Sequence, residues 1–188
     1  APLTVAEGRW PGPVALRGLH QQGNAALAAA GLRLLTARGL PVPEAAIARG
    51  IAEARWPGRL EEIGGGVLDG AHNPDGAAAL AAALPLLYPE RPVEMVFGVL
   101  ADKDHAGMLG ALAPVVRGFH LVAPPTPRAR PPADYCRLAA RLVPRTDEHQ
   151  DLPEALACAR RAAEGGAVVA VAGSLYLVGA ARARLVDD

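Results

Sequence analysis

The sequence has 188 residues, of which 51% are hydrophobic and 20% charged, with a formal net charge of +0. This length suits one complete domain plus part of another, and the balanced charge argues against a general nucleic-acid binder, which usually has a basic excess. We find no secretory signal and no apolar run near the ~18 residues of a membrane span, so we expect a soluble, cytoplasmic protein with no membrane partner. Lys103 is the one lysine in the sequence, so any chemistry that needs a lysine must use it.

The first part of the chain predicts two helices. Leu27, Leu34 and Leu35 fall on one face of a helix over residues 24–38, and a glycine and a proline follow its end. A second helix is predicted from Pro43, and the segment 55–59 breaks it. We place a domain boundary there, with one unit at 1–57 and another at 58–188. The helix pair has no predicted strand to cover, so we expect it to expose an apolar patch or to pair with a second copy.

From about residue 60 the sequence alternates between short apolar strands and helices. The strands are predicted at 67–69, 93–100, 119–122 and 167–172. Continuous apolar strands separated by helices are typical of a parallel sheet that is covered on both faces. Asn73, Pro74 and Asp75 suit the start of the helix after the first strand, as N-cap, first helical residue and dipole partner. The second unit is therefore predicted to be an α/β domain.

Polar clusters follow the predicted strands, where ligands bind in open parallel sheets. They are 69–74, 98–104, 126–130 and 173–175. Together they bring an acid, a histidine, the lysine and a serine to one edge. Purely structural roles remain open for each: Asp69 as a helix cap, His72 as a hydrogen-bonding side chain, Lys103 in a surface turn, and Ser174 as an N-cap.

Two kinds of site are not predicted. A phosphate-binding P-loop ends in Gly-Lys-Ser/Thr, and the one lysine here follows Asp102. Gly64-Gly65-Gly66 precedes a strand, so we interpret it as a hairpin or linker. The histidines show no metal-ligand spacing, so we expect no metal site made by this chain alone.

Four motifs in order resemble a known family. They are Trp56-Pro57-Gly58-Arg59-Leu60-Glu61, then Leu68 to Pro74, then Phe97 to Asp104, then Ala172 to Gly179. Together with the segment Gly18 to Ala26, they resemble the C-terminal part of folylpolyglutamate synthase and of bifunctional dihydrofolate synthase, in the Mur ligase superfamily. The resemblance implies a Rossmann-like, mostly parallel sheet with helices on both faces.

The resemblance also implies a reaction. ATP, with Mg2+, phosphorylates a carboxylate of a folate or dihydropteroate, and the amine of L-glutamate attacks the acyl phosphate. By resemblance, Asn24 contacts the adenine, Arg59 reaches the terminal phosphate and Asp69 bonds the ribose hydroxyls. His72, Lys103 and Ser174 match positions that face the glutamate and the transferred group. A guanidinium suits a phosphate because it bonds two oxygens at once.

The family's P-loop, Mg2+ ligands and folate pocket lie in an N-terminal ATPase domain that this sequence does not include. The resemblance implies that residues 1–57 are the last helices and linker of that domain, that 58–188 are the glutamate ligase domain, and that the chain alone is inactive. Two alternatives remain open: another Mur-type amino-acid ligase, such as a peptidoglycan precursor ligase, and a non-catalytic nucleotide-binding module.

Overall fold

The computed structural model describes residues 8–187. The chain divides into two compact units, Ala1–Pro57 and Gly58–Asp188. Each unit has its own hydrophobic core and is described by itself.

The first unit is a helix pair, α1 (His20–Ala37) and α2 (Glu44–Glu53). Its small core joins alanines of α1 to Ile47 of α2 and to Trp10. Leu32 of α1 packs against this core, whereas five other leucines in and beside the helix are 45–70% exposed. They are Leu19, Leu27, Leu34, Leu35 and Leu40. The helix pair therefore exposes several large apolar side chains, and the expected patch that they would form stays a prediction.

In the described part of the second unit, six strands form one sheet in the order β1-β2-β6-β3-β4-β5. The strands are β1 (Glu61–Ile63), β2 (Gly66–Leu68), β3 (Val93–Phe97), β4 (Gly118–Leu121), β5 (Thr146–Glu148) and β6 (Val168–Ala172). β1 runs antiparallel to β2, and every other neighbouring pair is parallel. The expected α/β fold with a mostly parallel sheet is confirmed.

Helices cover both faces of the sheet. They are α3 (Pro74–Leu87), α4 (His105–Leu112), α5 (Cys136–Leu142), α6 (Leu152–Ala162) and α7 (Leu175–Asp187). One core contains side chains of α3, α4 and α5, and a second core contains side chains of α6 and α7. β3 is buried at every residue, which explains why its sequence is almost continuously apolar.

Helix starts follow the expected capping chemistry. The side chain of Asn73 accepts a hydrogen bond from the Gly76 N–H at 2.7 Å, and Pro74 is the first residue of α3. Asp151 accepts from the Glu154 N–H at 2.9 Å at the start of α6. These bonds satisfy N–H groups that have no partner within the helix.

Some boundaries differ from the predictions. The predicted strand 93–100 ends at Phe97, because Leu100 leaves the sheet and forms an isolated antiparallel bridge with Ala129. Gly64 and Gly65 form the turn of the β1–β2 hairpin, which is one of the two structures expected for the triple glycine, and Gly66 begins β2. The edge strands β1 and β5 have no apolar run and were not predicted.

Candidate functional site

The carboxyl ends of the central strands are joined by backbone hydrogen bonds. The N–H of Asp69, after β2, donates to the carbonyl of Val171 at 3.0 Å, and the N–H of Gly173, after β6, donates to that of Ala71 at 2.9 Å. The N–H of Gly98, after β3, donates to the carbonyl of Ala172, the last residue of β6, at 3.3 Å. Three of the four predicted polar clusters therefore begin at one edge of the sheet.

Asp69 anchors the turn that presents Arg59. Gly58 and Leu60 both have positive φ, +71° and +47°, so Arg59 lies in the middle of a tight and partly strained turn. Oδ2 of Asp69 accepts from the Leu60 N–H at 3.0 Å, and Oδ1 accepts from the Ala71 N–H at 2.9 Å. The Arg59 side chain is exposed and makes no hydrogen bond or ion pair with any other described residue. A free guanidinium is thus held beside the end of β2.

A second carboxylate fixes the same turn. Glu61 accepts from the Gly58 N–H at 2.7 Å, and both of its oxygens lie 3.0 Å from Nε of Arg182 in α7. Glu61 was part of the motif noted in the sequence, but its role was not identified. No local pattern pairs two residues that lie so far apart in the chain.

Two glycines leave room where loops cross the sheet edge. Gly173 has φ +105°, and a Cβ there would lie 2.5 Å from the carbonyl oxygen of Gly98. A Cβ on Gly70 would lie 2.6 Å from Cδ2 of Leu175. The approach at Gly173 is to a backbone atom and is closer than a side chain permits, so the packing there depends on glycine. The contact at Gly70 is with an exposed leucine side chain that can move aside.

His72 is exposed in the loop between β2 and α3. Its Nδ1 lies 2.8 Å from the carbonyl oxygen of Gly70. A carbonyl only accepts, so Nδ1 donates and the neutral ring keeps Nε2 as its accepting nitrogen. His72 therefore offers one basic nitrogen for a further partner.

The starts of α3 and α4 are neighbours. A Cβ on Gly107, in the first turn of α4, would lie 3.0 Å from Cγ of Pro74, the first residue of α3. Two helix N-termini with their partial positive charge consequently lie together on the side of the sheet that carries His72.

Lys103 lies in the loop between β3 and α4. Its Nζ is 3.1 Å from Oδ2 of Asp102. Nη2 of Arg128, from the loop after β4, is 3.4 Å from both oxygens of that carboxylate. The hydrogen bond from Lys103, followed by the positive charges of Lys103 and Arg128, keeps the pKa of Asp102 below its usual range.

Ser174 is buried, with 1% of its surface exposed. Its Oγ accepts a hydrogen bond from the Tyr176 N–H at 3.2 Å, at the start of α7. In this structure Ser174 therefore acts as a helix cap, the alternative that the sequence left open. Leu175 and Tyr176, which follow it, are exposed.

Asn24 lies in the first unit, on α1. It is exposed, and its Nδ2 donates to Oε1 of Gln21 at 3.0 Å. Gln21 is itself buried and lies 2.8 Å from Nε2 of His20. Asn24 thus starts a short chain of polar side chains along one turn of the helix.

Residues 8–187 contain neither a grouped set of metal-ligating side chains nor a membrane-spanning helix. No three His, Cys, Asp or Glu side chains in this range are grouped so that they could hold a metal ion. None of the helices in the same range combines the length and the apolar character needed to cross a membrane.

Comparison with known protein families identifies the family of the domain that contains this site. Residues 58–175 match the family described as Mur ligase, glutamate ligase domain. The chain belongs to this family. The match begins at the turn of Arg59 and ends at the start of α7, so it contains Asp69, His72, Lys103 and Ser174.

Similar proteins are folate enzymes. The chain is 39% identical over 178 residues to a folylpolyglutamate synthase of Lacticaseibacillus casei, covering 92% of this chain and 40% of that protein. It is 29% identical to a dihydrofolate synthase/folylpolyglutamate synthase of Bacillus subtilis, covering 90% of this chain and 40% of that protein. The chain therefore spans about two fifths of the length of these relatives.

A solved structure supports the fold. Mycobacterium tuberculosis folylpolyglutamate synthase complexed with ADP matches with a TM-score of 0.82 and 30% identity, over 93% of this chain and 42% of that one. The similarity covers both units, each of which has its counterpart in a larger protein.

Proposed function

We propose that this chain is the glutamate-ligase part of an ATP-dependent enzyme that joins L-glutamate to a carboxylate of a folate or dihydropteroate, in folate biosynthesis and polyglutamylation. The observation that carries the proposal is the match of residues 58–175 to the glutamate ligase domain. Relatives that align with nine tenths of the chain are named for this activity, which supports the folate branch of the family.

Arg59, Asp69 and Asn24 are the residues proposed to hold ATP. The fit rests first on Arg59, because its exposed guanidinium has no partner among the described residues, and a guanidinium bonds two phosphate oxygens at once. Asp69 is a carboxylate at the same turn, and carboxylate oxygens accept hydrogen bonds from hydroxyls such as those of a ribose. Asn24 offers an exposed amide, as hydrogen bonding to an adenine requires.

ATP, when bound, supplies the phosphoryl group that turns a substrate carboxylate into an acyl phosphate, which an amine can attack. The task of this chain is then to neutralise charge and to position the glutamate. Arg59 is the cation for the terminal phosphate. Mg2+ is proposed to accompany ATP, with its ligands on the N-terminal ATPase domain.

Lys103 and His72 are the residues proposed to bind glutamate. Lys103 supplies an ammonium for a glutamate carboxylate, and the neighbouring N-termini of α3 and α4 add partial positive charge. Nε2 of His72 can accept a hydrogen bond or a proton from the attacking amine, since Nδ1 is engaged with a carbonyl. Ser174 is proposed to contact the glutamate or the transferred group. Its hydroxyl, which is buried in this structure, must become exposed for that contact.

The first unit is proposed to be the end of the ATPase domain, and the chain alone to be inactive. Support comes from the five exposed leucines in and beside α1, since large exposed apolar surfaces commonly mark sites that another part of a protein covers. The absence of Gly-Lys-Ser/Thr in the sequence agrees with a P-loop supplied by another segment.

The test completes the chain with an N-terminal ATPase domain of the family and measures ADP release that depends on glutamate. Dihydropteroate and tetrahydrofolate are offered as acceptors, and the chain alone is the control. We expect turnover with at least one acceptor in the completed enzyme. A well-folded enzyme that turns over neither acceptor would reject the folate ligase.

The family match alone also fits a ligase for peptidoglycan precursors. The same completed enzyme therefore receives peptidoglycan precursors as acceptors, with other amino acids beside L-glutamate. Turnover with those pairs, and none with folates, would replace the folate assignment. Tight ATP binding by the chain alone, without any turnover after completion, would favour a nucleotide-binding module.

A further inference from the structure

Lys103, Asp102 and Arg128 form a small ionic group at the sheet edge, called here the Asp102 triad. Asp102 bonds Lys103 at 3.1 Å and meets Nη2 of Arg128 at 3.4 Å through both oxygens. We infer that Asp102 competes internally with the substrate carboxylate for Lys103, and that Arg128 determines glutamate affinity by drawing Asp102 away. This inference rests on the proposed role of Lys103 as a glutamate-binding cation.

The backbone fixes Arg128 beside Asp102. The N–H of Ala101 donates to the carbonyl of Arg128 at 2.9 Å, and the N–H of Arg130 donates to the carbonyl of Val99 at 2.9 Å. These bonds join the loop after β4 to the loop after β3 on both sides of one bridge. The backbone of Arg128 is therefore held in a defined position beside the loop after β3. This position brings the Arg128 side chain within reach of Asp102.

The triad has enough positive charge to attract one further anion. Two cations and one carboxylate carry a net charge of +1, which equals the charge needed by one substrate carboxylate. Arg130 does not add to this surplus, because its guanidinium bonds the carbonyl of Ala101 and lies 3.7 Å from Asp134. The carboxylate of Asp104, which follows Lys103, is engaged as the cap of α4, where it accepts from the Gly107 N–H at 2.9 Å. Within the triad the surplus charge thus belongs to Lys103 and Arg128 jointly.

The ion pairs of the triad are exposed enough to exchange. The side chains of Asp102 and Arg128 are 51% and 59% exposed, and that of Lys103 is 31% exposed. Exposed pairs are weak, so a substrate carboxylate can take the place of Asp102 on Lys103. Asp102 then keeps Arg128 as its partner, which reduces its repulsion of the incoming anion. Without Arg128, Lys103 and Asp102 would form a neutral pair that attracts no anion.

The experiment measures KM for L-glutamate and kcat in the completed enzyme, at low and at high salt. We expect Arg128→Ala to raise KM about twofold to fivefold, the range for an exposed ion pair, with kcat unchanged. Asp102→Asn should lower KM, and in that background Arg128→Ala should have a smaller effect. Arg128→Lys should restore much of the affinity, and high salt should reduce each difference because exposed charges are screened. Arg141→Ala, an exposed arginine in the last turn of α5, is the matched control.

The outcomes separate this inference from the proposed function. If Asp102→Asn raises KM, then Asp102 positions Lys103 and does not compete, and the inference is rejected. The same holds if Arg128→Ala leaves KM unchanged while Lys103→Ala raises it. If Lys103→Ala has no effect on KM, the glutamate role of Lys103 itself fails.

A second measurement needs no turnover. Amide signals of residues 101–104 in the chain itself are followed by NMR during titration with L-glutamate. We expect shifts that saturate at lower glutamate in Asp102→Asn and at higher glutamate in Arg128→Ala. Saturation at the same glutamate concentration in all three proteins would overturn the inference, whereas no shift in any of them would reject the glutamate role of Lys103 itself.

Discussion

Oδ2 of Asp69 accepts a hydrogen bond from the backbone N–H of Leu60 at 3.0 Å, across the base of the β1–β2 hairpin that separates the two residues. Leu60 has φ +47°, a conformation that bulky side chains rarely adopt. The carboxylate at the end of β2 therefore stabilises a strained turn and, with it, the direction of Arg59. Asp69 thus connects the edge of the sheet to Arg59, the cation that is proposed to bind phosphate.

Removing this carboxylate should loosen the turn and lower stability. Asp69→Ala deletes the acceptors of two backbone N–H groups, from Leu60 and Ala71. We expect the free energy of unfolding to fall by about 1.5–3 kcal/mol, the range for hydrogen bonds to a charged group. Asp69→Asn keeps one acceptor oxygen and should lose less. Urea denaturation of the three proteins measures the order, and an Asp69→Ala protein as stable as the parent would refute the anchoring role.

Gly173 should tolerate no side chain. Its φ is +105°, and a Cβ would lie 2.5 Å from the carbonyl oxygen of Gly98. Gly173→Ala should therefore destabilise the protein by more than ~1 kcal/mol, because neither strain nor clash can be relieved without moving β3. Thermal unfolding provides the measurement.

Gly179 is the matched control for that substitution. It lies within α7, and a Cβ there would meet no heavy atom within 4 Å. Gly179→Ala should stabilise the protein by about 0.5–1 kcal/mol, since alanine is the better helix former. Equal losses at both positions would show that the close approach at Gly173 does not limit the fold.

Sequence patterns predicted the central strands because these are buried on both faces and almost continuously apolar. β5 was missed for the opposite reason, since Thr146–Glu148 is a polar edge strand that no periodicity marks. Helix starts were predictable because capping is local. The end of β3 was not, because it depends on a bridge from Leu100 to a distant loop.

The sequence could predict which strand ends form the site, but not the contacts between the side chains of the site. The parallel sheet guarantees that Asp69, Gly98 and Gly173 share one edge. The pairing of Arg182 with Glu61, and of Arg128 with Asp102, depends on side chains that meet only after folding. Whether Ser174 caps a helix or contacts a ligand was equally beyond the sequence, because both uses favour a serine before a helix.

The buried side chain of His120, in β4, is expected to make the stability of the protein depend on pH. His120 Nε2 lies 3.2 Å from Glu94, and its Nδ1 lies 3.1 Å from His149. Burial lowers the pKa of His120 below its ordinary value, against the opposing effect of Glu94. Arg117 and Arg145 also contact Glu94, and Asp147 acts on His120 from β5.

The sign follows from proton binding. With a lowered pKa in the folded state, the unfolded chain binds more protons at this histidine, so stability rises with pH across the window. The contribution is complete above about pH 6.5, the ordinary histidine pKa, and is lost as pH falls toward the lower folded value. Unfolding free energies from pH 7.5 to 5.5 should fall, and His120→Gln should flatten the curve. A curve of unchanged slope in that variant would exclude His120 as the cause.

Arg59 should matter for catalysis and not for folding. Its side chain is exposed and has no hydrogen bond or ion pair to the other described residues, so Arg59→Ala should change the unfolding free energy by less than ~0.5 kcal/mol. In the completed enzyme the same substitution should reduce glutamate-dependent ADP release strongly, because the developing charge on the transferred phosphoryl group loses its cation.

Arg59→Lys separates charge from geometry. Lysine keeps the positive charge but cannot form two parallel bonds to phosphate oxygens, so it should restore only part of the activity. Arg141→Ala should leave both stability and turnover unchanged, as expected for an exposed arginine outside the site. If Arg59→Ala retains near-normal turnover, the phosphate is bound by other residues and the turn held by Asp69 serves the fold alone.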